Sequence, residues 1–172
     1  MASTTNQVGS SSFPSSSSTP HWNYDVFLSF RGTDTRRNFT SHLFTALKDA
    51  GIKTFMDDEE LPTGKEIKPE LRKAIRESKM SIIVFSKNYA SSRWCLDELV
   101  EILECKRTMG QLVLPLFYDV EPSVVRYQTG NYAQAFQKFV DKWDKPKVKN
   151  WRDALKEAAD LSGHVLANEE DG

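Results

Sequence analysis

From Tyr24 onward, short apolar runs alternate along the chain with longer segments that have the spacing of a helix. The runs typical of buried strands are residues 24–30, 52–56, 80–86, 112–118 and, shortest of all, 164–166. Strands that alternate with helices predict parallel pairing, because a parallel connection needs a long crossover that a helix usually provides. Right-handed crossovers then favour a flavodoxin-like winding, an α/β fold of three layers with helices on both faces of the sheet.

The helical segments indicate which side chains turn inward. One face of the first helix, which Gly51 ends, is predicted to contain Phe39, Leu43, Ala46, Leu47 and Ala50. The helix that begins at Trp94 is predicted to bury Cys95, Leu96, Leu99, Ile102 and Leu103. Two further helices, at 131–143 and 147–162, follow a predicted loop at 119–126. Pro115 interrupts the fourth strand, which predicts either a bulge or a position where the missing amide has no ladder partner.

Composition excludes several classes of function. The formal net charge is −1 with 27% charged residues, so a broad basic surface for nucleic acid is only weakly supported. Cys95 and Cys105 lie in neither a C-x-x-C motif nor a Cys/His cluster, which predicts no metal site, no disulfide and a reducing compartment. No apolar run is as long as a membrane span, so we expect no membrane partner and a cytoplasmic location, with the nucleus as an alternative.

Composition also divides the chain. Residues 1–20 are rich in serine and threonine and almost free of apolar side chains, which predicts a disordered tail. The folded domain is predicted at 21–168, followed by an acidic tail or the start of a linker at 169–172.

Trp94 and Glu98 are the first candidates for chemistry. They lie four residues apart, so they share one face of a helix that follows the buried strand at 82–85. Ligands of α/β folds bind where the carboxyl ends of the strands open into a crevice, and a flat ring beside an acid suits a nucleotide or a glycosidic bond. The alternative is that Glu98 is a solvated helix acid like Asp97 and Glu101, and spacing alone favours that alternative.

Familiar phosphate-binding devices are absent from the sequence. No G-x-G-x-x-G follows the first strand, and Gly64-Lys65 has neither the upstream glycine nor the following Ser or Thr of a P-loop. A receiver domain of this winding needs an aspartate where the third strand ends, and this chain has Ser86 there.

Four motifs, in order, carry a family resemblance. They are Tyr24-Asp-Val-Phe-Leu-Ser-Phe-Arg-Gly32, Asp34-Thr-Arg36, Trp94-Cys-Leu-Asp-Glu-Leu99 and Phe117-Tyr-Asp-Val-Glu-Pro-Ser-Val-Val-Arg126. Together, over roughly residues 22–166, the chain resembles the Toll/interleukin-1 receptor (TIR) domain. The plant form is indicated, which occurs at the N-terminus of intracellular nucleotide-binding leucine-rich-repeat immune receptors. The resemblance implies a flavodoxin-like fold with a five-stranded parallel sheet.

The resemblance also implies an activity. Plant TIR domains cleave NAD⁺ to nicotinamide and ADP-ribose or cyclic and variant products, and the family's catalytic glutamate corresponds to Glu98. NAD⁺ is thus the expected substrate, and no cofactor is expected. Cleavage leaves positive charge on the ribose, which a nearby carboxylate stabilises, as carboxylates do in glycosidases.

Other site residues follow from the same resemblance, each with a plainer alternative. Phe30, Arg31 and Gly32 are expected to border the nucleotide crevice, where Arg31 pairs with a phosphate or simply forms a surface ion pair. Ser86 contacts the ribose or caps a turn. Trp94 stacks on a ring or packs the start of its helix.

Self-association is the second implication. Ser41 and His42 match a family contact in which two domains pack their first and last helices symmetrically, the last helix here being Trp151–Leu161. Gly163 belongs to a second family interface or, more plainly, caps a helix. The loop 57–65 matches a mobile family loop that gates the site or forms an assembly contact, and the plainer alternative is a solvated loop.

Two residues depart from the common family pattern. Thr33 stands where plant members more often have an acid or a proline, and His164 stands where tryptophan is frequent. Neither touches the Glu98 motif. Besides an NAD⁺-cleaving immune and cell-death signal, two alternatives remain: a non-catalytic scaffold for other TIR domains, and the processing of nucleic acid into cyclic nucleotides.

Overall fold

A parallel sheet of five strands organises the chain in this computed structural model, which describes residues 21–57 and 67–166. The strands are β1 (Tyr24–Phe30), β2 (Thr54–Met56), β3 (Ser78–Phe85), β4 (Leu112–Tyr118) and β5 (His164–Leu166). Their order is β2-β1-β3-β4-β5, and all neighbours are parallel, which confirms the predicted flavodoxin-like sheet. Both predicted tails, and the loop 57–65 apart from Asp57, lie outside the described residues.

Helices connect the strands. They are α1 (Gly32–Thr35), α2 (Phe39–Asp49), α3 (Pro69–Arg76), α4 (Arg93–Met109), α5 (Pro122–Tyr127), α6 (Asn131–Val140) and α7 (Lys145–Ala159), with a 3₁₀ turn at Tyr89–Ser91. The prediction of a loop at 119–126 is wrong, because α5 occupies most of it. Pro122 is the first residue of α5, a position where its missing amide costs no helical hydrogen bond.

The sheet has a hydrophobic cluster on each face. On β1, Phe27 belongs to one cluster and Leu28 to the other, as the alternation of side chains along a strand requires. The first cluster is completed by buried side chains of α3, α4, α6 and α7, and the second is covered by half-buried side chains of α2. Helices therefore lie on both faces, which confirms the predicted three-layer fold.

The α2 helix faces the sheet at a slightly different angle from the one predicted. Phe44 joins Phe39, Leu43 and Leu47 against the second cluster, whereas the two alanines of the predicted face, Ala46 and Ala50, are exposed. The face is rotated toward Phe44 because an aromatic ring buries far more apolar surface than a methyl group.

Pro115 lies where β4 has a neighbour on one side only. The β3–β4 pairing runs without a break through Ile83 and Pro115, so there is no bulge. Pairing with β5 begins at Leu116, and the Pro115 carbonyl faces Gly163, just before β5. The second alternative is therefore correct: on that side the missing amide costs no ladder hydrogen bond.

Gly163 is required by this close approach. A Cβ there would clash with the Pro115 carbonyl oxygen and would lie 2.7 Å from the Pro115 ring. Among the described residues, the glycines with positive φ are Gly51, Gly110 and Gly130. Gly163 does not have this left-handed conformation, so the alternative that it is a glycine C-cap is wrong.

We expect Gly163→Ala to lower the free energy of unfolding by about 1–3 kcal/mol, because the backbone of β4 must shift to admit the methyl group. Urea unfolding measures the loss. Ser162→Ala, at the exposed neighbouring position, is the matched control and should change stability by less than about 0.5 kcal/mol. Equal stability of the two variants would contradict this packing role, and the predicted role of Gly163 in an interface would then remain.

Candidate functional site

The first two turns of α4 lie against the carboxyl end of β1, where Glu98 is bonded to Ser29 and the Cys95 thiol to the Phe30 carbonyl. The Ser92 side chain caps the helix by accepting a hydrogen bond from the Cys95 amide at 3.2 Å. The predicted inward residues are all buried: Cys95, Leu96, Leu99, Ile102 and Leu103. Because Glu98 lies on the same side as this apolar face, it points into the domain.

Glu98 is a buried carboxyl with a partner for each oxygen. Only 4% of the residue is exposed. Its Oε1 accepts a hydrogen bond from Trp94 Nε1 at 2.9 Å, and its Oε2, when the carboxyl is ionised, accepts one from Ser29 Oγ at 2.7 Å. The alternative of a solvated helix acid is therefore wrong.

Burial sets the charge of this carboxyl. It raises the pKa of Glu98 to about 8, against the lowering effect of the hydrogen bonds from Ser29 and Trp94. The nearby carboxyls of Asp57 and Asp97 raise the pKa of Glu98 further. A buried acid that changes charge near neutral pH is typical of a group that takes part in chemistry.

Ser29 and Tyr89 are the site residues that sequence reasoning missed. Ser29 Oγ lies 2.8 Å from Tyr89 Oη, which in turn lies within hydrogen-bond distance, 3.0 Å, of the Cys95 carbonyl. Both residues are fully buried. One signal was available for Ser29, because a hydroxyl near the end of an otherwise apolar strand must find a buried partner.

Trp94 supports Glu98 and packs at the same time. Its ring is half-buried against the first core cluster, and its indole N–H is the donor to Glu98. The packing alternative is thus confirmed, and stacking on a ligand ring stays a prediction.

Ser86 is a turn residue, as the plainer alternative predicts, and its contact with a ribose stays a prediction. It is 2% exposed, and its hydroxyl donates to Asp34 Oδ2 at 2.6 Å. The same carboxylate accepts the Asn88 amide at 2.9 Å, so it clamps the end of β3 onto α1.

The Phe30 ring is buried in the core, and the expectation that Phe30 borders a nucleotide crevice stays a prediction. Its ring is in the second core cluster and is covered by the Arg36 guanidinium, 5.1 Å from the ring centroid. Arg36 also donates to the Asp57 carbonyl at 2.8 Å, which ties α1 to the segment after β2. A Cβ on Gly32 would lie 3.0 Å from the Arg36 side chain, so the glycine makes room for it.

Arg31 lies at the start of α1 and is half-buried. Its Nε donates to Thr33 Oγ1 at 3.1 Å, so Thr33, a departure from the family pattern, orients the arginine. His164, the other departure, begins β5 and is exposed. The phosphate contact of Arg31 stays a prediction.

The predicted assembly residues divide into two groups. Ser41 and His42 are exposed on α2 and are available to a partner. Trp151 is 1% exposed and donates to Asp97 Oδ1 at 3.1 Å, so the prediction that its side chain forms a contact is wrong. The α2 and α7 helices pack against opposite faces of the sheet, and the contact between the first and last helices of two domains stays a prediction.

Within the described ranges 21–57 and 67–166, no helix is long and apolar enough to cross a membrane. Over the same residues, no three His, Cys, Asp or Glu side chains are grouped to hold a metal ion.

Comparisons with known proteins agree with the motifs. A family model described as the TIR domain matches residues 23–171. TMV resistance protein N of Nicotiana glutinosa is 57% identical over 87% of this chain, and disease resistance protein RPV1 of Vitis rotundifolia is 56% identical over 96% of it. This chain covers only 13% and 12% of those two proteins.

A solved structure extends the comparison to the fold. The TIR domains of the activated Roq1 resistosome, which directly recognises the pathogen effector XopQ, are 58% identical to this chain, with a TM-score of 0.76. The match covers 83% of this chain and 87% of that one. The chain therefore belongs to the TIR domain family, in the group found in plant disease resistance proteins.

Proposed function

We propose that this TIR domain self-associates and cleaves the nicotinamide–ribose bond of NAD⁺, with Glu98 as the catalytic carboxylate, to trigger plant defence and cell-death signalling. The observation that carries the proposal is the burial of Glu98 between Ser29 and Trp94, at the end of the sheet where α/β folds bind ligands. The proposed products are nicotinamide and ADP-ribose, or cyclic and variant forms of it. The proposed location is cytoplasmic or nuclear.

The chemistry needs one carboxylate. The electrons of the broken bond pass to the nicotinamide nitrogen, which loses its positive charge as the ring leaves. The ribose becomes an oxocarbenium-like cation, which ionised Glu98 stabilises until water or an internal nucleophile attacks. Since nicotinamide leaves as a neutral molecule, no general acid is required.

In the single domain, the Glu98 carboxylate is not accessible to NAD⁺. With 4% of Glu98 exposed, NAD⁺ reaches it only after neighbouring groups move. Trp94 and the segment at Asp57 are the neighbours we propose to move, and contact with a second domain supplies a reason for the movement. The appearance of TIR domains in the activated Roq1 resistosome supports this dependence on assembly.

Nicotinamide release from NAD⁺ by concentrated purified protein tests the activity. We expect Glu98→Ala to lower the rate by roughly 10²-fold or more, the loss typical of removing a charge-stabilising group. Glu104→Ala, an exposed glutamate of the same helix, is the matched control and should keep the activity. Equal rates in both variants would move catalysis away from Glu98, and no release by a self-associated wild type would indicate a scaffold.

We further expect the rate per molecule to rise with protein concentration, because assembly is proposed to open the site. His42→Asp, on the exposed face of α2, should remove that rise without changing the fold. Nicotinamide release and light scattering over the same concentration range measure the two together. A rate per molecule that stays constant while the protein associates would contradict the dependence on assembly.

A further inference from the structure

Two buried hydroxyls connect Glu98 to the main chain of α4. The oxygen–oxygen distances are 2.7 Å from Glu98 to Ser29, 2.8 Å from Ser29 to Tyr89, and 3.0 Å from Tyr89 to the Cys95 carbonyl. Glu98 is 4% exposed, and the residues Ser29 and Tyr89 are fully buried. All three contacts are short enough to be hydrogen bonds, so each needs a proton.

The number of protons available depends on Glu98. A serine or tyrosine hydroxyl donates one proton, and the carbonyl at the end of the chain donates none. If Glu98 is ionised, two protons must serve three contacts, and one pair of oxygens faces each other without a proton. If Glu98 is protonated, it donates to Ser29, Ser29 donates to Tyr89, and Tyr89 donates to the carbonyl.

We propose that Tyr89, which acts on Glu98 through the Ser29 hydroxyl, is a positioning residue that holds Glu98 as a neutral acid in the unliganded domain. When Glu98 ionises, its proton goes to water, and the Ser29 hydroxyl turns from Tyr89 to the carboxylate. The contact between Ser29 and Tyr89 then lacks a proton, so ionisation costs one buried hydrogen bond. The catalytic consequence rests on the proposed function: the domain stores its carboxylate in an inactive form.

The charged groups around Glu98 also favour its neutral, protonated form. Asp57, from the segment after β2, and Asp97, from α4 itself, are both carboxyls and both oppose a negative charge on Glu98. The buried thiol of Cys95 and the phenol of Tyr89 have raised pKa values, so both stay neutral.

A bound cation favours the ionised form of Glu98 over the neutral form. Arg31 and Asp34, at the start of α1, act with opposite signs on the pKa of the neighbouring Cys95 thiol. The pyridinium ring of NAD⁺ carries a positive charge, and an opposite charge within about 6 Å favours the ionised carboxylate. Substrate binding would therefore ionise the acid that acts on it.

Titration of the Glu98 carboxylic acid by infrared difference spectroscopy tests the proposal without NAD⁺. The band is assigned by its loss in Glu98→Gln. In the wild type we expect a midpoint near pH 8. Tyr89→Phe should lower it by about one pH unit, a tenfold change in the ratio of the two forms, because the ionised state no longer leaves a contact without a proton.

Two further variants test whether the shift in the midpoint is specific to Tyr89. Ser29→Ala should not lower the midpoint, because it removes a donor to the ionised carboxylate. Tyr132→Phe is the matched control, since Tyr132 is also a buried tyrosine but donates to the Ser86 carbonyl at 2.8 Å, outside the chain of hydroxyls. A wild-type midpoint below about 5.5, or equal shifts in Tyr89→Phe and Tyr132→Phe, would overturn the proposal.

Activity is read separately. Nicotinamide release at saturating NAD⁺ should become half-maximal at a lower pH than the midpoint of the free protein, and Tyr89→Phe should move that profile further down. If the titration behaves as expected but no nicotinamide is released, the proposed function fails and the storage of a neutral acid stands. A profile that Tyr89→Phe leaves unchanged would overturn the catalytic consequence.

Discussion

Replacing Glu98 with glutamine is expected to stabilise the domain at alkaline pH and to abolish the proposed cleavage of NAD⁺. Glutamine keeps the contacts of the protonated acid, since its oxygen accepts from Trp94 and its amide donates to Ser29. It cannot ionise, however, so the variant avoids the cost of placing a charge in the core. The substitution is therefore expected to raise the stability of the domain and to remove its proposed activity.

The direction of the pH dependence follows from the two pKa values of Glu98. The pKa is about 8 in the folded domain against 4.5 for an unperturbed glutamate, so the folded state holds the proton more tightly. The stability from this group is complete below about pH 4.5 and is lost as pH rises to about 8. The whole difference is on the order of 4–5 kcal/mol.

Urea unfolding at pH 4.5, 7 and 9 measures the effect. We expect Glu98→Gln to match the wild type at pH 4.5 and to exceed it by several kcal/mol at pH 9. Glu104→Gln, with the same chemical change at an exposed site of α4, should follow the wild type throughout. If the advantage of Glu98→Gln is the same at every pH, folding does not raise the pKa of Glu98, and the inference from its burial is wrong.

Trp151→Ala is expected to lower the free energy of unfolding by about 3–5 kcal/mol, because it empties the space of a fully buried ring. The ring lies 5.3 Å from that of Phe139 and 6.2 Å from that of Trp143, and its N–H is bonded to Asp97. Denaturant unfolding measures the loss, and a loss below about 1 kcal/mol would contradict the role in the core.

Two comparison variants separate packing from assembly. Trp151→Phe keeps an aromatic ring in the core and should lose less stability than the alanine variant, although Asp97 loses the indole donor. His42→Ala, on the surface of α2, should change stability by less than about 0.5 kcal/mol. A defect in assembly that accompanies Trp151→Ala is therefore expected to follow from unfolding.

The pairing of Glu98 with Ser29 shows where prediction from local pattern ends. Spacing placed Trp94 and Glu98 on one helix face, and the structure joins them by a hydrogen bond. Ser29 lies 69 residues from Glu98 in sequence and Tyr89 lies 60 residues from Ser29. They meet because β1 lies beside β3 in the sheet, and a local pattern contains no record of strand neighbours.

The sequence by itself determined the alternation of strands and helices, the parallel sheet and the inward face of α4, because hydrophobic periodicity records which side of each element avoids water. Only the tertiary structure decided that Glu98 is buried, that Ser86 is hydrogen-bonded to Asp34, and that α2 and α7 lie on opposite faces of the sheet. Those outcomes depend on which elements become neighbours. The packing of the whole sheet sets these neighbours, and with them the charge of the one carboxyl on which the proposed function depends.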